Sequence, residues 1–320
     1  MAKVNNYYVG IDLGGTFIKG GIVTENGKII LSKKIKTEVE KGNDKIVENM
    51  NTLINLLLED AKINKQNIIG VGIGVPGTID SEKGVVVCAH NLNFYNFKIV
   101  KKLEELSSLK VKIENDANLA LLGEAMFGAA KGCNEVVMIT LGTGVGGGAI
   151  VKGKLLEGNK SAGAEFGHTV IVVDGNKCNC GRRGCFEAYS SATALINKTK
   201  EQMEQNKNSK MWEVGSIENV DGETVFKYLK TDKTAQEVLS WYVKHLACGV
   251  INFANVFRPQ VFVIGGGIAN QGDVIIKPLK EYMKKELFAS GMSPDVKVVA
   301  AKLENNAGVL GSVGLYKGLR

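Results

Sequence analysis

The sequence predicts an α/β protein with two similar lobes. Short buried-strand patterns alternate with helical ones along the whole chain, the order expected of an α/β fold. The same strand–glycine turn–strand unit occurs twice, at Asp12–Thr16 and at Leu141–Gly144, the organisation expected of two similar lobes around a nucleotide cleft. Glycine is abundant, 39 residues against 4 prolines, so the chain uses close backbone approaches rather than rigid turns, which suits a protein that cradles phosphates.

Tyr7 to Asp12 reads as a buried strand, Gly14-Gly15-Thr16 as a turn, and Phe17 to Val23 as a second strand. Glu25-Asn26-Gly27-Lys28 is a hairpin turn leading to a third strand, Ile29 to Ile35. Ile46, Met50, Leu53 and Leu57 give helical spacing over 46–61. Ile68 to Val75 is another buried strand. Val136 to Leu141, a glycine turn, and Gly148 to Val151 repeat the N-terminal pattern. Ser190 to Asn208 and Thr234 to Phe257 read as helices, and Val261 to Ile264 as a strand ending in Gly265-Gly266-Gly267. The polar, poorly patterned stretch 209–233 reads as a surface excursion. The division expected is a small lobe at 1–114, completed by a C-terminal helix at about 305–320, and a larger lobe at 115–304.

The chain has 320 residues, enough for two domains with real cores. At 44% hydrophobic and 23% charged it has a globular composition. A net charge of +7 fits an anionic ligand, but the lysines are scattered, which argues against nucleic acid. No apolar run reaches membrane-spanning length and the start lacks a signal-peptide core, so neither membrane nor export is expected. Six cysteines, half of them clustered, point to the reducing cytoplasm rather than to a disulfide framework.

That cluster is Cys178-Asn179-Cys180-Gly181-Arg182-Arg183-Gly184-Cys185-Phe186-Glu187, preceded by Glu165-Phe166-Gly167-His168. Three cysteines and a histidine are a ligand set for closed, tetrahedral structural zinc. The competing reading is buried or disulfide-bonded cysteines, but the CxC spacing suits a metal better than two separate disulfides. A metal here fixes two carboxylates, Glu165 and Glu187, that the chain alone leaves mobile. Cys88, Cys133 and Cys248 lack partners in sequence and read as buried thiols. His90 receives no role, and His245, in a helical stretch, reads as structural.

Gly142-Thr143-Gly144-Val145-Gly146-Gly147 matches a dinucleotide fingerprint, but a strand follows where a helix is required. Gly72 to Gly77 fails for the same reason, with Pro76 and a turn behind it. Gly148 to Lys154 nearly makes a phosphate loop, yet Leu155 stands where a magnesium-binding hydroxyl belongs. What remains is a pair of turns, Asp12-Leu13-Gly14-Gly15-Thr16 and Leu141-Gly142-Thr143-Gly144, that offer uncrowded backbone N–H groups as anion nests. Either alone reads equally as a simple hairpin. Asp12 is suited to magnesium held through water.

With both turns placed, the chain resembles the ROK kinases (repressor, open reading frame, kinase), and among them the ATP-dependent bacterial glucokinases. The matching stretches are Asp12–Lys19, Gly72–Asp80, Glu114–Asn118, Leu141–Gly148, Ala162–His168, Cys178–Glu187 and Gly265–Gly267, in the family's order. The resemblance implies the actin-like/hexokinase-like ATPase fold, ATP with magnesium, a sugar acceptor, a structural zinc, and a homodimer or homotetramer. Asp116 matches the family's catalytic base. Asn115, Glu165, His168 and Glu187 match sugar ligands, with Gly77 and Asn91 as further neighbours of the sugar. His168, Cys178, Cys180 and Cys185 match the zinc ligands. Asp12, Gly14, Gly15, Thr16, Lys19, Gly142, Thr143 and Gly144 match the phosphate side, and Gly265, Gly266 and Gly267 the adenosine side. One departure bears on the sugar: Asn91-Leu92 is followed by Asn93-Phe94-Tyr95, where glucokinases of this group often carry Gly-Trp.

The residues support the same chemistry directly. A hydroxyl attacks phosphorus readily only if its proton has somewhere to go, and Asp116, after an apolar strand, can accept it. Asp116 would serve as well as a helix N-cap, but capping does not call for the whole Glu-Asn-Asp-Ala-Asn cluster. The expected reaction is glucose plus ATP, with N-acetylmannosamine or another hexose as the alternative acceptor. ROK members also include sugar-responsive repressors. Those carry a DNA-binding segment before the kinase-like part, and the first strand here begins near Tyr7, which disfavours that reading.

Overall fold

The computed structural model describes residues 6–319. β1 (Tyr7–Leu13), β2 (Phe17–Thr24) and β3 (Ile29–Lys36) form an antiparallel meander, and α1 (Asn43–Ala61) crosses to β4 (Ile68–Val75). A small meander of β5 (Thr78–Asp80), β6 (Val85–Ala89) and β7 (Phe94–Phe97) follows. Next come α2 (Ile99–Ser107), β8 (Val111–Asn115) and α3 (Asp116–Phe127). The second glycine-turn hairpin is β9 (Val136–Leu141) and β10 (Val145–Val151), after which β11 (Lys154–Leu155) is a short antiparallel partner of β10. Beyond the cysteine-rich stretch run α4 (Glu187–Ser190), α5 (Ala192–Gln205), α6 (Thr224–Tyr228) and α7 (Lys233–Phe257). The chain closes with β12 (Val261–Gly265), α8 (Asp273–Glu286), β13 (Lys297–Ala300) and α9 (Ala307–Gly311).

These elements form two compact units. One holds the chain up to Asn134, Gly148–Ala164 and the chain from Lys302; the other holds Glu135–Gly147 and Glu165–Ala301. The division therefore differs from a break at residue 114. α3 stays with the N-terminal strands because it packs on β4 and against α9.

In the first unit the sheet order is β3-β2-β1-β4-β8, with β1, β4 and β8 parallel. Val9, Ile11, Ile18 and Ile73 meet Ile46, Met50, Leu53 and Leu57 of α1 in one buried core. The other face carries α9, and here glycine is required. A Cβ on Gly10 would lie 2.2 Å from the Val309 carbonyl oxygen, and one on Gly72 would lie 2.7 Å from the Ser312 side chain. Gly123 and Gly311 likewise let α3 and α9 touch backbone to backbone. Glu124, fully buried, fastens this return. Its Oε1 accepts from the Lys302 and Leu303 N–H groups at 2.8 and 2.7 Å, and its Oε2 accepts from Ala129 N at 2.6 Å.

In the second unit β9, β12 and β13 are parallel, and all five residues of β12 are buried. Phe166 stacks on Phe253 of α7 with centroids 4.5 Å apart, and Phe186 fills the space left by Gly249. Three expectations change. The stretch 209–233 is packed structure rather than a surface excursion: Met211 and Val225 are fully buried. Asp232 caps α7 while its other oxygen accepts from Ser209 Oγ and Met211 N. The helix expected at 190–208 is broken at Ser191, whose extended backbone sends the Ala192 N–H to the Gly142 carbonyl at 2.8 Å. Cys248 is exposed on the solvent face of α7 and Cys88 and Cys133 are half-buried, so none of the three is a core thiol. His245 Nδ1 donates to the Trp241 carbonyl at 2.8 Å and the ring stacks on Tyr189, in keeping with a structural role.

Candidate active site

In the first unit the site residues gather at the carboxyl ends of β1, β4 and β8, where α/β sheets place their ligands. Asp12 lies opposite Gly74 in the β1–β4 register, and the Asp116 Cα is 3.6 Å from where a Gly74 side chain would begin. The Gly14-Gly15-Thr16 turn is closed by Gly14 N to Phe17 O at 3.0 Å. Thr37, which the sequence reading missed, holds the turn from outside. Its Oγ1 donates to Gly14 O at 2.6 Å and its N–H to Thr16 O at 3.0 Å. An isolated threonine at a strand end carries no sequence signal for this. Asn91 lies beside the turn, its carbonyl oxygen 3.2 Å from a Cβ built on Gly15.

Burial pushes the Asp12 carboxyl above the usual carboxylate range, and the Lys19 ammonium opposes the shift. Burial likewise pulls Lys19 down, with Asp12 restoring part of it. Lys19 Nζ donates to Asn305 O and, at 3.0 Å, to Asn306 Oδ1, so the C-terminal return grips the cation next to Asp12.

Asn115 and Asp116 divide the work that the sequence left open. Asn115 is the N-cap of α3, its Oδ1 accepting from Ala117 N and Asn118 N at 2.9 and 3.3 Å. Its Nδ2 donates to Gly77 O at 3.1 Å, which ties the β4–β5 turn to β8. Glu114 supports it from below: the buried Oε1 accepts from Asn115 N and Asn118 Nδ2 at 2.9 and 3.0 Å. Asp116 opens the helix, accepting from Ala117 N at 2.8 Å. The N-cap position thus belongs to Asn115, and Asp116 is the first residue of the helix.

In the second unit the Gly142–Val145 turn is held by α5: Thr193 Oγ1 donates to Thr143 O at 2.7 Å. Glu187 reaches the same turn, accepting from Val145 N at 2.9 Å through Oε2. A Cβ on Gly144 would lie 2.4 Å from that oxygen, so only glycine leaves room for the carboxylate. Gly265 and Gly266 pack against the end of β9. Gly266 has φ +85° and its Cβ would lie 2.4 Å from Leu141 O, while nothing crowds Gly267. Glu165 is exposed and starts the turn that buries Phe166 and presents His168.

His168, Cys178, Cys180 and Cys185 bring their ligand atoms within 4.8 Å of one another. Cys180 Sγ and Cys185 Sγ are 3.7 Å apart, as are Cys178 Sγ and His168 Nδ1. A tetrahedral zinc with sulfur arms of about 2.3 Å and a nitrogen arm of about 2.0 Å sets edges of roughly 3.5–3.8 Å, close to these two separations. Nδ1 faces the sulfurs, which leaves Nε2 for another partner. Burial pushes the Cys178 thiol up to about 12 and raises Cys185, while the Arg182 backbone N–H holds Cys180 down. A divalent cation is what allows three crowded thiols to ionise together. Arg182 Nη1 donates to His168 O at 3.1 Å and braces the loop.

The sequence-predicted residues thus form two compact groups, one per unit. Asp12 through Lys19, Gly77, Asn91, Asn115 and Asp116 make the first; Gly142–Gly144, Glu165, His168, Glu187, the cysteines and Gly265–Gly267 make the second.

The sequence profile described as ROK family matches residues 8–318. A glucokinase of Thermotoga maritima is 36% identical over 312 residues, covering 97% of this chain and 96% of its own length. A ROK family glucokinase of Streptomyces griseus, solved with glucose and AMPPNP, superposes with a TM-score of 0.83 at 31% identity, covering 98% of this chain and all of the other. A xylose repressor of Caldicellulosiruptor bescii is 30% identical over 313 residues, 96% of this chain and 77% of the repressor.

Proposed function

The chain belongs to the ROK family, and from that premise we propose that it transfers the terminal phosphoryl group of ATP to glucose. The fold is of the actin-like/hexokinase-like kind. One observation carries the reading on this chain's own residues: Glu187, a carboxylate suited to a sugar hydroxyl, is hydrogen-bonded to the glycine turn suited to a phosphate. An ATPase without an acceptor has no use for that coupling.

In the proposed mechanism Asp116 takes the proton of the attacking sugar hydroxyl. That oxygen forms a bond to the γ-phosphorus as the bond to the β–γ bridging oxygen breaks, and ADP leaves. Asn115, Glu165, His168 Nε2 and Glu187 hold sugar hydroxyls, with Gly77 and Asn91 as further neighbours of the sugar. The Gly14–Thr16 and Gly142–Gly144 turns receive phosphate oxygens on backbone N–H groups, and Gly265–Gly267 the adenosine. Asp12, with Lys19 beside it, would hold magnesium, which when bound would supply shielding of phosphate charge.

His168, Cys178, Cys180 and Cys185 are proposed as ligands of a structural zinc. Four protein ligands would leave no open position for substrate, so the site would supply geometry rather than polarisation, holding His168 and, through the loop, Glu187 in place. No helix among the described residues is long and apolar enough to cross a membrane. We propose a cytoplasmic homodimer or homotetramer, whose free cysteines suit a reducing compartment.

The similarity to a xylose repressor keeps a second reading in view, that of a sugar-responsive DNA-binding protein. One experiment separates the two. Purified protein with magnesium-ATP and a panel of glucose, N-acetylmannosamine, mannose and xylose is assayed for ADP release. Glucose-dependent turnover is expected; ADP release with no sugar in the panel would overturn the kinase reading.

A further inference from the structure

A cavity of 520 Å³ lies wholly within the second unit, a size suited to a ligand somewhat larger than a single sugar ring. One wall is the face of α5 that carries Ser191, Asn197 and Lys198; facing it is the Asn176–Asn179 stretch of the cysteine loop. Trp241 closes a third side, its ring held 4.6 Å from His245 in a stack that continues to Tyr189. Neither the Asp12–Thr16 turn nor Gly265–Gly267 lines it.

The chemistry of the wall is selective. Asn176, Asn179 and Asn197 each donate and accept, which is what sugar hydroxyls demand of their partners. An aromatic face such as that of Trp241 suits the C–H face of a sugar ring. Lys177 adds an ammonium group suited to a phosphate, and Lys198, which shares its charge with Glu201 and lies 5.4 Å from the centroid of the Trp241 ring, adds a second. The two carboxylates on the wall already have partners: Glu201 pairs with Lys198 at 2.7 Å, and Glu187 accepts from Val145 N.

We propose that this cavity is a second ligand site for a phosphorylated monosaccharide, the chemical class of the reaction's own product, and that filling it slows turnover. The product's identity and the effect on rate rest on the kinase reading; the site itself rests on the cavity. Thr143 and Glu187 line the cavity as well as serving the proposed transfer. A ligand there therefore acts on the Val145–Glu187 hydrogen bond, and by linkage glucose and the second ligand oppose each other's binding.

The test is calorimetric titration of the full chain with glucose 6-phosphate, glucose and inorganic phosphate, in the presence of saturating glucose and a non-hydrolysable ATP analogue. Glucose 6-phosphate is expected to bind once per chain, with inorganic phosphate roughly tenfold or more weaker because it meets only the lysines. The double substitution Lys177→Gln, Lys198→Gln should weaken glucose 6-phosphate about tenfold or more and relieve its inhibition of turnover. Asn197→Asp, on an exposed residue, should do the same by repulsion while leaving the melting temperature unchanged. No binding once the other ligands are present, or equal binding by both variants, would overturn the site. Phosphate binding as tightly as the hexose phosphate would overturn the sugar specificity. Should no sugar be turned over, the kinase reading fails alone, because the binding comparison among variants needs no turnover.

Discussion

Glu187 accepts a 2.9 Å hydrogen bond from the Val145 backbone, so the carboxylate that follows the cysteine loop is also a strut of the second glycine turn. The turn cannot be altered as a nucleotide element alone. Gly144→Val places a side chain where Glu187 Oε2 lies and displaces it. The expected result is a rise in KM for glucose as well as for ATP, each about tenfold or more if one charge-assisted hydrogen bond is lost on each side. Steady-state kinetics with both substrates varied decide this; a rise confined to ATP would show that Glu187 holds no sugar.

Asp116→Asn keeps the shape and hydrogen-bonding capacity of the side chain but cannot take up a proton. Turnover should fall about 10²-fold or more in kcat, with glucose affinity within a few-fold of wild type. The fold should be untouched because the α3 cap belongs to Asn115. Near-normal kcat would remove Asp116 from the chemistry.

Cys180→Ser, or chelation, opens the tetrahedral set and frees both His168 and the Arg182 brace. Elemental analysis of the wild type should find about one zinc per chain. Its removal should weaken glucose binding about tenfold or more, with a smaller effect on ATP carried through Glu187. A metal-free preparation with full activity would rule out both the site and its link to the sugar.

Burial raises the Asp12 pKa, so the folded chain holds that proton more tightly than the unfolded chain does. The resulting stability is fully present at acid pH, below the unfolded value, and is lost as pH rises through the elevated one. At neutral pH the buried carboxylate is a net cost even with Lys19 beside it, because burial outweighs the Lys19 attraction. Asp12→Asn should therefore raise the melting temperature of the ligand-free protein at pH 7, with the gain shrinking toward pH 4, while abolishing magnesium-dependent turnover. Thermal melts across that range give the sign directly; a lower melting temperature for the variant at pH 7 would contradict it.

Glu124→Leu removes the acceptor of three backbone N–H groups in a fully buried position. The expected loss is about 2–4 kcal/mol of stability, read as a drop in denaturation midpoint.

Much of this was legible in the sequence because it is local. Strand–glycine–strand hairpins, the helical spacing from Ile46 to Leu57 and the CxC loop each declare themselves within a dozen residues. What was not legible depends on partners far along the chain. Glu124 looks like any surface glutamate of a helix until Lys302, 178 residues later, donates to it. The break at Ser191 is invisible until Gly142 supplies the acceptor for the next N–H. Asn115 and Asp116 are both good caps, and only the backbone angles separate them. The polar composition of 209–233 hid Met211 and Val225, too few apolar residues to show a period.

The late arrival of the Glu124 partners has a bearing on biosynthesis. As the chain leaves the ribosome, the sheet face at Gly10 and Gly72 emerges before the second unit, but its cover, α9, is made only after that unit. Throughout translation of the intervening second unit, that face is open to chaperones or to misassociation. Nascent chains stalled before Lys302 should accordingly be cut by protease within α3, and the released 320-residue chain should resist.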